Sequence, residues 1–214
     1  TIHTTDHQIA GRGRLDRSFE MPKFAGVAVS VLVRPASASA RWTWLPLIAG
    51  IATVDALGEL GLPAVLKWPN DVLTREQRKL AGILVERVET TQGPAAVIGI
   101  GLNVSLNQDE LPTPQATSML LEQATTTDRH VVISHLAASL RMWIDRWASG
   151  EQAEIEHAYR ERCLTIGQEV RVVRHGHEDV TGVAEGIDEY GCLIVDGHAW
   201  SAGAIQHLRP INHV

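Results

Sequence analysis

The 214-residue chain carries 25 acidic against 19 basic residues, a formal net charge of -6, and is 44% hydrophobic and 21% charged. That composition is ordinary for a globular protein long enough to bury one sizeable core, and the acidic balance argues against a chain whose main work is coating nucleic acid. No apolar run reaches membrane-span length, because Pro46, Asp55 and Glu59 interrupt the richest stretch, and no secretory leader is expected. Cys163 and Cys192 are too far apart for a CxxC motif and read as reduced, buried thiols of a cytoplasmic protein. Of the ten histidines, His3 and His7 have helical spacing but no glutamate between them, and His175 and His177 fall in an expected turn, so no metal site built from histidine is expected. The chain opens at Thr1 rather than methionine, which raises the expectation that its N-terminal part is missing.

In chain order, the first stretch with chemical character is Gln8-Ile9-Ala10-Gly11-Arg12-Gly13-Arg14-Leu15-Asp16-Arg17. Glycine lets consecutive N–H groups face one anion, and arginine supplies planar donors matched to carboxylate and phosphate. The segment can close over a charged ligand; a flexible basic loop, or one that touches RNA, is the open alternative. It is neither a Walker loop nor a GxGxxG turn. Ala25 to Val33 is an almost unbroken apolar run that predicts a central strand covered on both faces. Trp42, Leu45, Ile48, Ala49, Ala52, Ala56 and Leu60 then predict a long amphipathic helix over 42–60, stopped by Gly61 and Pro63.

Residues 62–68 predict a short strand that delivers Lys67 to a turn at Pro69, Asn70 and Asp71. Residues 79–88 predict the next strand, beginning at Lys79. A lysine at the mouth of a core strand suits a carboxylate or phosphate ligand, although strand ends also carry lysine simply for solubility. Residues 95–104 predict a third strand ending Gly99-Ile100-Gly101-Leu102-Asn103. Its glycines admit a ligand or a second backbone, and Asn103 could read an adenine or ribose; a bulged core strand with a turn-forming asparagine fits equally.

Beyond Pro112 and Pro114, helices are expected over 117–123, 131–147 and 151–163. After Gly167 short alternating runs are divided by Gly176, Gly186, Gly191, Gly197 and Gly203, the texture of a small barrel of the SH3-like kind that must dock on a larger unit. The expected architecture is α+β: a mixed sheet flanked by helices over 1–165, then the small barrel over 166–214.

Taken together and in order, Gln8 with Gly11-Arg12-Gly13-Arg14, Lys67-Trp68-Pro69-Asn70-Asp71, Lys79-Leu80-Ala81-Gly82-Ile83-Leu84, Gly99-Ile100-Gly101-Leu102-Asn103 and a glycine-rich tail ending Leu208-Arg209 resemble the biotin–protein ligases, or holocarboxylase synthetases. The resemblance spans nearly the whole chain. It implies a catalytic domain related to lipoate ligases and an SH3-like C-terminal domain. It also implies a two-step reaction with ATP and biotin as substrates and Mg²⁺ as the ion: biotin is activated as biotinyl-5′-AMP, then passed to a lysine of a biotin carboxyl carrier domain.

Carried over by position, the resemblance makes Lys79 and Arg14 catalytic. It assigns Gln8, Gly11, Arg12, Gly13, Arg14, Lys79 and Gly82 to biotin and its adenylate, and Arg17, Lys67, Asn70, Asp71 and Asn103 to ATP. Three departures stand out: Asp16 where the family usually has glycine, Phe19 where it usually has tryptophan, and no Ser-Thr-Asn segment ahead of Gln8. No helix-turn-helix is expected, hence no DNA and no membrane partner; a homodimer stays open. A lipoate-type ligase and a non-catalytic biotin or biotinyl-AMP binder are the alternative readings.

Overall fold

The computed structural model describes residues 1–16, 18–19, 21–36, 39–173, 178–202 and 207–210. Six strands, β1 (Ile2–Thr5), β2 (Gly26–Val33), β3 (Val65–Lys67), β4 (Asp71–Leu73), β5 (Lys79–Thr90) and β6 (Gly93–Asn103), form one sheet in the order β1-β2-β6-β5-β4-β3. Every ladder between them is antiparallel, and isolated parallel bridges at Leu66–Cys163 and Lys79–Ala116 supply its mixed character. A two-residue turn at 91–92 joins the two longest strands, and their register runs unbroken from Thr90–Gly93 to Ala81–Leu102.

Side chains alternate between the faces of a strand, so each ladder sorts its residues into two sets. Val27, Val29 and Val31 of β2 stand beside Leu102, Ile100 and Ile98 of β6, and these beside Ala81, Ile83 and Val85 of β5. That face is the core, and α1 (Leu45–Glu59) lies on it with α2 (Arg129–Ala148) and α3 (Gln152–Arg162) behind. The expected helix over 42–60 therefore begins later, after a 3-10 turn at Ser39–Trp44, and it is not amphipathic. Leu45, Ile48, Ala49, Ile51, Ala52 and Leu57 are all fully buried, because sheet and helices enclose α1 from opposite sides. In the same way β2 is covered on one face only, since Ser30 on the other is exposed.

The helix expected over 117–123 is absent, and turns take its place. Its N–H groups serve the end of the sheet instead of an i→i−4 ladder: Thr117 donates to the Lys79 carbonyl, Met119 to Asn103 and Leu120 to Val104. Ser118 Oγ also donates to the Leu106 carbonyl at 2.7 Å.

The remaining strands, β7 (Glu169–Val173), β8 (Val180–Ile187), β9 (Leu193–Val195), β10 (His198–Trp200) and β11 (His207–Pro210), form a second antiparallel sheet in the order β10-β9-β8-β7-β11. Leu208 and Arg209, which end the glycine-rich tail, lie in β11. His175, Gly176, His177 and Gly203 lie outside the described residues. Val170, Val172, Ala184, Leu193 and Val195 belong to the same continuous core as the first sheet. Two indole N–H groups cross the seam, Trp44 to the Glu189 carbonyl at 2.9 Å and Trp68 to the Gly191 carbonyl at 3.2 Å. Both cysteines are free; Cys163 is buried as expected, but Cys192 is only half-buried. Burial pushes the Tyr159 phenol well above its ordinary pKa, and neighbouring Cys163 adds to the effect.

Candidate active site

The face of the first sheet opposite the core carries almost no side-chain bulk. The registers line up Lys67, Asp71, Gly82, Gly101, Ala28 and Thr5 across all six strands, and in the next row Leu84, Gly99, Ser30 and His3. Two glycines and an alanine side by side leave bare backbone at the centre, which becomes the floor of a trough of about 310 Å³. Its roof is formed by Gln8, Arg12, Gly13, Arg14, Leu15, Ser18 and Phe19. The volume lies within the range of small-molecule sites.

One end of the trough is built around Lys79. By strict alternation its side chain would share the core face of Ala81 and Ile83. A bulge in the β4–β5 ladder, where Val72 pairs with Ala81 but Leu73 with Lys79, inserts one residue and turns it to the trough. Its ammonium stands 2.5 Å from Asp71 Oδ1, and 3.5 Å from where a Cβ on Gly82 would lie. The Lys79 backbone is fixed from both directions, its N–H donating to the Gln115 carbonyl at 2.7 Å and its carbonyl accepting from Thr117 at 2.9 Å. Asn70 clamps the preceding turn to β5: its Nδ2 donates to the Ile83 carbonyl at 3.0 Å, and its own carbonyl accepts from Ile83 N–H at 2.9 Å. A lysine so held is a compact point charge suited to a carboxylate or phosphate in the trough.

The roof closes on itself before it meets the sheet. Phe19 N–H donates to the Gly11 carbonyl at 2.9 Å, and Arg12 and Ser18 form a bridge. Gly11 has no room for a side chain, since a Cβ there would strike the Phe19 carbonyl. The left-handed backbone falls on Leu15, at φ 56° and ψ 48°. Among the described residues, three side chains attach the roof to the rest of the molecule. Arg12 Nη2 meets Glu86 Oε2 at 2.8 Å, Arg14 Nη2 donates to the Ala202 carbonyl of the C-terminal unit, and the Phe19 ring lies on Gly101, where an added Cβ would sit 2.5 Å from it.

Of the residues singled out in the sequence, Gln8, Arg12, Gly13, Arg14, Asn70, Asp71, Lys79 and Gly82 all line the trough. Gly11 lies behind it. Lys67 stands opposite Asp71 in the same row but at the sheet edge, outside the lining. Asn103 is buried beyond the trough's end, one row past Gly101; its Nδ2 donates to the Thr117 carbonyl at 2.9 Å, while its Oδ1 is without a partner among the described residues. Arg17 lies outside the described residues. Phe19, Ser30 and Glu86 also line the trough and carried no assigned role in the sequence. Counting by twos from Gly82 along β5 finds Glu86. No cluster of three or more His, Cys, Asp or Glu side chains suited to a metal occurs among the described residues. Nor is any described helix long and apolar enough to cross a membrane.

Residues 1–103 match the Biotin/lipoate A/B protein ligase family, and residues 165–208 match the Biotin protein ligase C terminal domain. A Biotin--[acetyl-CoA-carboxylase] ligase of Mycobacterium tuberculosis is 41% identical over 213 residues, covering 95% of this chain and 77% of the relative. A ligase of the same name from Paracoccus denitrificans is 35% identical over 90% of this chain and 82% of the relative. Among solved structures, the biotin protein ligase of Aquifex aeolicus in complex with biotin and ATP superposes with a TM-score of 0.77 at 27% identity, covering 98% of this chain and 89% of that one.

Proposed function

The chain belongs to the biotin/lipoate A/B protein ligase family, and from that premise we infer how its trough works. The protein is an ATP-dependent ligase that activates biotin and attaches it to the carrier of a biotin-dependent carboxylase. The observation that carries the site assignment is the pairing of Lys79 with Asp71 at one end of a glycine-floored trough, beneath a roof that presents Arg12 and Arg14.

In the first step an oxygen of the biotin carboxylate attacks the α-phosphorus of ATP. The bond to the β-phosphate bridging oxygen breaks, pyrophosphate leaves, and a mixed anhydride remains. Two anions must approach each other, and fixed cations lower that repulsion. We assign this task to Lys79, which exchanges Asp71 for the biotin carboxylate and then follows the oxygens of the new anhydride. Arg14 and Arg12 cover the intermediate from above, and Gln8 offers an amide donor and acceptor to the ureido ring. In the second step a carrier lysine, as the free amine, attacks the anhydride carbonyl carbon. The C–O bond to AMP breaks, and the nitrogen loses its proton as the amide forms. Removing the roof at that moment admits the lysine; keeping it shut until then excludes water.

Asn70, Asp71 and Lys67 stand at the nucleotide end in this reading. The buried, unpartnered Oδ1 of Asn103 supports a role as acceptor for an exocyclic amine of the base. Mg²⁺ keeps most of its ligands as water and substrate phosphate and needs only one or two carboxylates, so Asp71 fits as its protein contact. The ion supplies charge neutralisation on the phosphates. We further assign residues 1–165 to the catalytic unit and 166–214 to the SH3-like unit, supported by the change of sheet after α3. Use of ATP and two free cysteines support a cytoplasmic setting.

Incubation with ATP, Mg²⁺, labelled biotin and a biotin carboxyl carrier domain tests the reading. Label is expected on one lysine of the carrier, and only when ATP is present. Adenylate without carrier labelling defeats the transfer step; neither product defeats the whole assignment.

A further inference from the structure

Alternate residues of β5, Gly82, Leu84 and Glu86, run along the trough, so Glu86 stands about 14 Å from Gly82, at the end opposite Lys79. There its carboxylate holds the Arg12 guanidinium at 2.8 Å. The backbone bonds of the roof close it on itself, between Gly11 and Phe19 and between Arg12 and Ser18, so they set its shape without fixing its distance from the floor. Among the described residues side chains bridge that distance, and at the far end the bridging side chain is Glu86. The Arg12 side chain is 71% exposed and that of Glu86 39%. An ion pair so wet adds little to the stability of the fold. It joins residues 74 positions apart and spans the gap between roof and sheet.

We propose that Glu86 is a positioning residue of the biotinylation reaction: by gripping Arg12 it latches the roof across the far end of the trough and slows escape of biotinyl-5′-AMP. The proposal rests on the ligase reading above. Glu86 touches no reacting atom and acts only through Arg12. Because the latch is electrostatic and exposed, it is weak and sensitive to ionic strength. Its strength suits a roof that must open once per turnover to admit the acceptor lysine.

The test loads wild type and Glu86→Gln with labelled biotinyl-5′-AMP and follows release after a chase with excess unlabelled compound. In low salt, release from Glu86→Gln is expected to be two- to fivefold faster, the range for loss of one exposed pair. Glu86→Asp, one methylene shorter, falls between them. Near 1 M salt, where mobile ions screen and compete for both exposed groups, wild-type release speeds up and the three proteins converge. A merely structural role for Glu86 predicts no such convergence. Equal release rates in low salt, or a gap that survives high salt, overturn the latch. The salt series on wild type needs no variant to fold. A wild-type chain that neither makes nor holds the adenylate overturns the ligase reading, and the latch with it.

Discussion

The two faces of β5 and β6 use the same residues of backbone and nearly opposite chemistry. On one face Ile83, Ile98 and Ile100 are buried against α1. On the other, Gly82, Gly99 and Gly101 leave a hollow. Neighbours along one strand are thus committed to stability and to ligand in turn, and moving the register by one residue would exchange the two sets. A substitution should accordingly harm either folding or chemistry, according to the parity of its position.

The largest effect expected is on the core face. Ile98→Ala should lower unfolding stability by about 2–5 kcal/mol, the usual range for emptying a filled core site, while the folded fraction keeps its adenylation rate. Thermal melts and pyrophosphate exchange, measured together, check both halves. Across the sheet, Lys79→Ala should leave the melt nearly unchanged and cut adenylate formation by at least ~100-fold, the scale for loss of one charge-stabilising donor. Unchanged turnover would remove Lys79 from the mechanism. Gly101→Ala sharpens the contrast by adding one carbon to the floor. The new Cβ would sit 2.5 Å from the Phe19 ring and must displace it, so adenylate affinity should fall about tenfold, as overpacking by one carbon implies. The same change at Gly99, where the Cβ meets only the Leu84 carbonyl at 3.4 Å, should alter affinity by less than about twofold, within the range of a tolerated substitution. Arg14→Ala removes a roof contact to Ala202 and should release the intermediate faster, seen as biotin on bystander lysines. Tight retention would count against closure of the roof.

Much of this was legible in the sequence because β-strands advertise themselves by alternation and glycine. The start of β5 at Lys79, the span of β6 and the gathering of Gln8, Arg12, Arg14, Asp71 and Lys79 at one site follow from motif and pattern. What was hidden depends on partners distant in the chain. Lys79 reaches the trough only through a bulge against β4, a three-residue strand with no periodic signal of its own. Residues 117–123 have a helical composition, yet the N–H groups of Thr117, Met119 and Leu120 go to Lys79, Asn103 and Val104, which no local window contains. Helix α1 looked one-sided because a single stripe of its apolar residues has helical spacing; Leu47, Ile51 and Leu57, off that stripe, are buried as well, since the layer is crowded on every side. Nothing local in the sequence indicates that Arg12 would come to meet Glu86.

The seam between the two sheets has a spectroscopic consequence. Trp44 and Trp68 are fully buried, and each indole gives its N–H to a main-chain oxygen on the far side. Prising the small unit away would wet both rings at once and redden their emission, even with the helices intact. Intrinsic fluorescence of this protein should therefore register undocking as an event separate from, and earlier than, loss of helical circular dichroism.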